Sequence, residues 1–264
     1  MTPFGALLVL AVLQGLTEYL PVSSSGHLVL ARQFLPGGAE LPTGAVIEIV
    51  LHLGTLFAVL IYYRTMVLDL LRSLWGGSED PRGDRKLVYF LILGSVPAGL
   101  VGVFFEDAIT GSFNGAQISC YGLLITGLVL LSSRQHYGTH DLKRMTLFAA
   151  LVIGCAQACA IMPGISRSGV TIVCALFLGF RLESAASFSF LLSIPAILGA
   201  AMLKLPEVAW SELEFPVGGL FIAVLLSFLV GLLALGFLVS VGRSRRLHWF
   251  APYCFLAGFA GLLS

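Results

Sequence analysis

Two short polar stretches interrupt an otherwise apolar chain: QGLTEYLPVSSSGH from Gln14 to His27, and PGISRSGVT from Pro163 to Thr171. Gln14 and Glu18 lie four residues apart, so on a helix both side chains leave the same face. Beyond Pro21 come Ser23, Ser24, Ser25, Gly26 and His27. In the second stretch Pro163 and Gly164 end one helix, Ser166 or Ser168 can cap the next, and Arg167 supplies a planar fork of donors. A helix N-terminus with free N–H groups, hydroxyls and an arginine suits phosphate oxygens, because dipole, donors and charge all favour an anion. A carboxylate such as Glu18 can hold a divalent cation or act as a base, and His27 can exchange protons near neutral pH. Together these are the parts of a phosphoryl-transfer site. The plainer readings are that Glu18 pairs with Arg167 only to fix packing, that the serines are caps or small residues allowing close approach, and that His27 is a satisfied polar group.

Other polar residues carry less. Glu48 and His52 share a helix face and border the possible cavity, although Glu48 near a helix end also suits headgroups. His136 and His140 flank a short loop with no third metal ligand. Arg181 reads as a cytoplasmic anchor, and Trp75, Trp210 and Trp249 as an interfacial belt.

The elements that must position these groups follow from composition. Of 264 residues, 58% are hydrophobic and 11% charged, with a mean hydropathy of +0.96. A soluble surface needs roughly 25% charge, so the chain belongs in a bilayer. Fifteen Lys+Arg against 14 Asp+Glu leave a net charge of +1 and no basic face for nucleic acid. The five cysteines (Cys120, Cys155, Cys159, Cys174, Cys254) lie in apolar runs without CxxC spacing and are read as small hydrophobes. The apolar N-terminal run, Phe4 to Leu16, has neither a basic lead nor a small-residue cleavage site, so it is expected to be retained.

A span needs about 20 apolar residues. Six segments qualify: Val46 to Tyr63, Leu87 to Phe105, Ala116 to Ser133, Ser184 to Leu203, Phe215 to Val241, and the shorter His248 to Ser264. Phe4 to Leu35 and Met145 to Phe180 are broken by the two polar stretches and read as helical hairpins. Lipid cannot satisfy a broken backbone, so each break must be buried in protein or line a wet cavity. Basic residues gather in the loops Arg64 to Lys86, Arg134 to Arg144 and Gly242 to Leu247. Acidic residues gather at Glu106 with Asp107, and at Glu207, Glu212 and Glu214 beside Lys204. Basic loops stay in the cytoplasm, and all of them fall inside only if both hairpins are re-entrant, from opposite faces. The expected fold is therefore all-α and integral to the membrane, with six transmembrane helices and two opposed re-entrant hairpins. Both termini then lie outside.

The halves also match. Sliding Gln14 onto Gln157 brings Ser23 onto Ser166, Ser25 onto Ser168 and Gly26 onto Gly169. A hairpin and three spans per half force the copies into opposite orientations, an inverted repeat of about 1–140 and 141–264 within a single membrane domain, 1–264.

Taken with IEIVLHLGTLFAVLIYYR and SAASFSFLLSIP, these stretches make the whole chain resemble the undecaprenyl-pyrophosphate phosphatase family, also called bacitracin-resistance proteins. The family signatures, E/Q-x-x-x-E and PGxSRSxxT, stand here as Gln14 to Glu18 and Pro163 to Thr171. The resemblance implies a bacterial plasma-membrane enzyme, its site facing outside, that removes the terminal phosphate of a C55 polyprenyl diphosphate, regenerating the carrier lipid for peptidoglycan. It implies that Glu18, with Gln14, serves a divalent ion (Mg²⁺ or Ca²⁺) or that Glu18 is a base. Arg167 would grip the diphosphate with Ser23, Ser25, Ser166, Ser168 and Thr171, and His27 with Ser24 would form the proton-transfer and nucleophile pair. The motif leaves open which of those two attacks phosphorus. Many family members have glutamate where this chain has Gln14, which leaves one carboxylate on this helix. The lipid tail is expected to leave sideways between spans. A homodimer is kept as an association that the sequence does not fix.

A different class fits the same architecture: an inverted-repeat transporter or flippase of polyprenyl phosphate or another anion, which would also need Arg167. A structural scaffold leaves the buried Glu18 and Arg167 without purpose.

Overall fold

The computed structural model describes residues 2–34, 45–75, 83–112, 115–136, 138–204, 215–243 and 246–263. They form eleven α-helices: α1 (Pro3–Tyr19), α2 (Ser24–Phe34), α3 (Ala45–Tyr62), α4 (Arg64–Trp75), α5 (Asp84–Ser112), α6 (Ala116–Ser132), α7 (Leu147–Cys159), α8 (Arg167–Phe177), α9 (Leu182–Lys204), α10 (Val217–Arg243) and α11 (Ala251–Leu263). Short 3-10 turns precede α7 and α11 and follow α6. The fold is all-helical, and among the described residues one isolated bridge, His140 to Phe180, is the only extended pairing.

Four of these helices are long and apolar enough to cross a membrane, at Asp84–Phe104, Ala116–Gln135, Leu182–Lys204 and Val217–Val241. A fifth span exists if α3 and α4 are counted together, but the two are bent by 83° at Tyr63. This corrects the sequence reading, which took Arg64 to Lys86 as a loop. The start of that segment is a helix that buries Leu70 while Leu68, Leu71, Leu74 and Trp75 stay exposed, the distribution of a helix lying along an interface. Its mixed composition hides it from a search for apolar runs. The segment expected at His248 to Ser264 is a 3-10 turn leading into the short α11. Arg82, Glu207, Trp210, Glu212, Glu214 and Arg245 lie outside the described residues, as do the side chains of Glu106 and Asp107.

Lipid gives helices no hydrophobic reason to associate, so close packing of small residues and buried polar links must do it. α1 and α3 both lie on α10, where a Cβ on Gly15 or Gly54 would run into the α10 backbone near Ser227. The Ser227 hydroxyl donates to the Leu51 carbonyl at 2.9 Å. α7 lies on α5 through a glycine pair, since a Cβ on Gly154 would overlap the Gly94 carbonyl. α6 and α11 pair through Gly127, Gly258 and Gly261. A continuous apolar core runs beneath, with Tyr19, Phe188 and Phe190 its largest fully buried side chains. Tyr19 meets Phe190 edge-on, with ring centroids 5.3 Å apart.

Candidate functional site

Each interrupted stretch is a helix, a tight turn and a second helix. The first arm is α1 and α2; its turn ends at Ser23, whose φ of 70° is left-handed, a strained setting for a side chain other than glycine. Ser23 Oγ accepts the Gly26 N–H at 3.3 Å, which caps α2. The second arm is α7 and α8. Its turn uses Gly164 at φ 89°, where a Cβ would also collide with the Ser119 carbonyl. Ser166 caps α8 by accepting the Gly169 N–H at 3.1 Å. Thr126, on α6, locks this turn: its hydroxyl donates to the Gly164 carbonyl at 3.0 Å and accepts the Ser166 N–H at 2.9 Å.

The two turns touch. A Cβ on Gly26 would lie 3.0 Å from the Gly164 Cα, and Ser168 Oγ donates to the Leu20 carbonyl at 3.3 Å. At this junction Arg167 Nη2 pairs with Glu18 Oε1. The other carboxylate oxygen accepts Gln14 Nε2–H at 2.9 Å and the Ser24 hydroxyl at 2.7 Å. His52 Nε2 stands 3.7 Å from it. Glu18 is buried, so at membrane depth its charge depends on these partners.

The cluster opens into a cavity of about 840 Å³, within the size range of small-molecule sites. Glu18, Ser23, Ser24, Ser25, Ser166 and Arg167 line it. So does Glu48, which pairs with Lys204 at 3.3 Å. The opposite walls come from α5 and α9 and are apolar except for Ser95 and Lys204; open space lies over Gly99, Gly102 and Gly199.

Other sequence candidates stand elsewhere. His27 is absent from the cavity wall: Nδ1–H donates to the Ser23 carbonyl at 2.7 Å, leaving Nε2 to accept the Tyr253 hydroxyl at 2.6 Å. His27 and Ser24 are therefore not hydrogen-bonded to each other. Ser168 and Thr171 lie behind the wall; Thr171 Oγ1 donates to the Arg167 carbonyl at 2.7 Å and meets Ser189 Oγ at 2.6 Å. The imidazole facing the cavity is His52, its Nδ1–H held by the Glu48 carbonyl at 2.7 Å. Its i, i+4 spacing with Glu48 was a weak sequence signal. The cavity-facing Gln157 was visible only as the match of Gln14 in the other half, and Thr126 and Tyr253 gave no signal.

Among the described residues no three His, Cys, Asp or Glu side chains are grouped to hold a metal ion. Gln14 Oε1 is nevertheless buried without a hydrogen-bond partner. Gln14 turns its amide nitrogen to Glu18 and lies outside the cavity lining, so its oxygen would join the Glu18 carboxylate on a hard divalent ion only with the amide turned over. His136 packs on Phe177 and His140 on Phe180, while Arg181 pairs with Asp141.

The family model for bacitracin resistance protein BacA matches residues 7–260. The undecaprenyl-diphosphatase of Syntrophotalea carbinolica is 41% identical over 253 residues, 95% of each chain. That of Korarchaeum cryptofilum is 42% identical over 262 residues, 96% of each chain. Undecaprenyl-diphosphatase 1 of Bacillus licheniformis is 38% identical over 265 residues, 97% of this chain and 96% of its own.

Proposed function

The chain belongs to the bacitracin resistance protein BacA family, and we propose that the cavity between its two arms is where undecaprenyl diphosphate is dephosphorylated to the monophosphate. One observation carries this: Glu18 of one arm and Arg167 of the other meet beside Ser24, at the head of an apolar-walled cavity. Phosphoryl transfer asks a protein chiefly to position the reactants and neutralise charge.

Arg167 grips the diphosphate through Nη1, which is buried and has no hydrogen-bond partner. Glu18 accepts the proton of Ser24, and Ser24 Oγ bonds to the terminal phosphorus. The bond from that phosphorus to the bridging oxygen breaks, its electron pair staying on the monophosphate beside the guanidinium. Water then attacks the seryl phosphate, the bond from phosphorus to Ser24 Oγ breaks, Glu18 returns its proton to that oxygen, and the water's oxygen and both of its protons leave with orthophosphate. His52 stands where it can relay the proton between Glu18 and the cavity. A divalent ion on Glu18 and Gln14 would, when bound, neutralise phosphate oxygens. The polyprenyl chain leaves through the groove between α5 and α9, where small residues clear the path.

In the bilayer the reading is six spans with two opposed re-entrant arms, an inverted repeat of 1–140 and 141–264. Two features support it. The packing is exchanged: the first arm lies on α10 of the second half, and the second arm on α5 of the first. The cavity's Glu48 and Lys204 stand at the ends of α3 and α9 opposite those near Arg64 and Arg181, so the positive-inside rule turns the cavity outward.

The test is orthophosphate release from undecaprenyl diphosphate in detergent, with and without chelator. Release is expected, falling about tenfold or more on chelation and returning with Mg²⁺ or Ca²⁺. Full release under chelation removes the ion from the scheme. No release in detergent, with lipid transport after reconstitution, would favour a carrier instead.

A further inference from the structure

We propose that Gln157 is a substrate-positioning residue whose side-chain amide binds the diphosphate head group beside Arg167. Gln157 lies near the end of α7, lines the cavity, and is 3% exposed. Neither its Nε2 nor its Oε1 has a hydrogen-bond partner. A buried amide with both ends unpaired is destabilising unless something else supplies the bonds.

The repeat explains how it became unpaired. In the first arm Gln14 sends Nε2–H to Glu18, four residues on. In the second arm the residue four beyond Gln157 is Ile161, just past the end of α7, and it offers the equivalent amide no side-chain acceptor. Gln157 thus keeps the matching glutamine without the matching acid.

A second unpaired group on the same arm points to the ligand. Arg167 is engaged through Nη2, while its buried Nη1 has no partner. The second arm therefore brings to one cavity an amide N–H₂ and a guanidinium N–H₂, both free to donate. Phosphate oxygens are strong acceptors, and an anion held by both satisfies two buried groups at once. The Gln157 Oε1 can accept from a protonated phosphate oxygen or from a water on the phosphate. The inference rests on the proposed reaction only in taking a diphosphate as ligand.

The experiment compares the detergent-solubilised full chain with Gln157→Leu, close in size and without polar atoms, and with Gln157→Glu, which sets a negative charge toward the diphosphate. Two readouts are needed: steady-state kinetics on undecaprenyl diphosphate, and the midpoint of thermal unfolding with and without inorganic pyrophosphate. For Gln157→Leu, KM should rise about tenfold or more with kcat changed less, as expected for a lost hydrogen bond to a charged group. Its unliganded midpoint should stay equal or rise, since an unsatisfied buried amide is gone, and the stabilisation by pyrophosphate should shrink. Gln157→Glu should bind still more weakly. An unchanged KM and an unchanged pyrophosphate shift in Gln157→Leu would overturn the proposal, as would a loss of activity tracking a lowered midpoint with pyrophosphate binding intact. The pyrophosphate shift needs no turnover, so if the wild type fails to hydrolyse the lipid, it still decides the role of Gln157.

Discussion

The first arm turns through Pro21 and a left-handed Ser23, while the second turns through Pro163 and a left-handed Gly164. Serine pays a steric penalty at that conformation that glycine does not. The arms also differ in how they are held. The second turn donates one hydrogen bond to Thr126 on α6 and accepts another from it; the first is tied through Glu18 to Ser24 and through His27 to Tyr253 on α11. Their charges are opposite, the acid on one and the guanidinium on the other. Neither arm could bury its charge alone, and the two charges meet at the junction between the arms.

Removing a charge should break this division most. Arg167→Ala leaves Glu18 without its cation, and Glu18→Gln leaves the guanidinium without its acid. Each is expected to lower kcat/KM by about a thousandfold or more. If the pair acts as a unit, the double variant should lose little beyond either single one. Near-normal turnover in Arg167→Ala would end the assignment. If activity is lost because folding is lost, Arg167→Lys separates the causes: it keeps the charge but not the fork, so it should fold and still hydrolyse poorly.

A smaller effect should come from loosening one turn. Thr126→Val deletes both bonds to the second turn and leaves the Gly164 carbonyl and Ser166 N–H buried without them. About 2 to 4 kcal/mol of stability should be lost, read as a lower unfolding midpoint. The smallest effect is expected on the other side. Tyr253→Phe removes only the bond to His27 Nε2, and the aromatic stack with 5.5 Å between centroids can persist. About 1 kcal/mol and a less than tenfold fall in turnover are expected. A thousandfold fall would restore His27 to the chemistry and place the arms on an equal footing.

Much of this was legible before the structure. Pro21, Pro163 and Gly164 marked the breaks because proline and glycine act locally on the backbone. The polar groups beside them stood out because nothing else in such apolar runs could be chemical. The α4 helix stayed hidden because its apolar and charged residues mix, and Tyr63 gives no warning of an 83° bend. His52 was only half visible, as one member of a helical pair with Glu48.

The sequence by itself determined that the chain enters a bilayer, that it breaks at the two polar stretches, and which ionisable groups in those stretches could do chemistry, since these follow from local composition and backbone chemistry. Only the tertiary structure decided who partners whom. Ser24 reaches Glu18, His27 turns to Tyr253, Thr126 holds a turn far along the chain, and Gln157 is left with nothing. Those choices depend on how helices distant in sequence cross, and no periodicity within one segment encodes the distance between two.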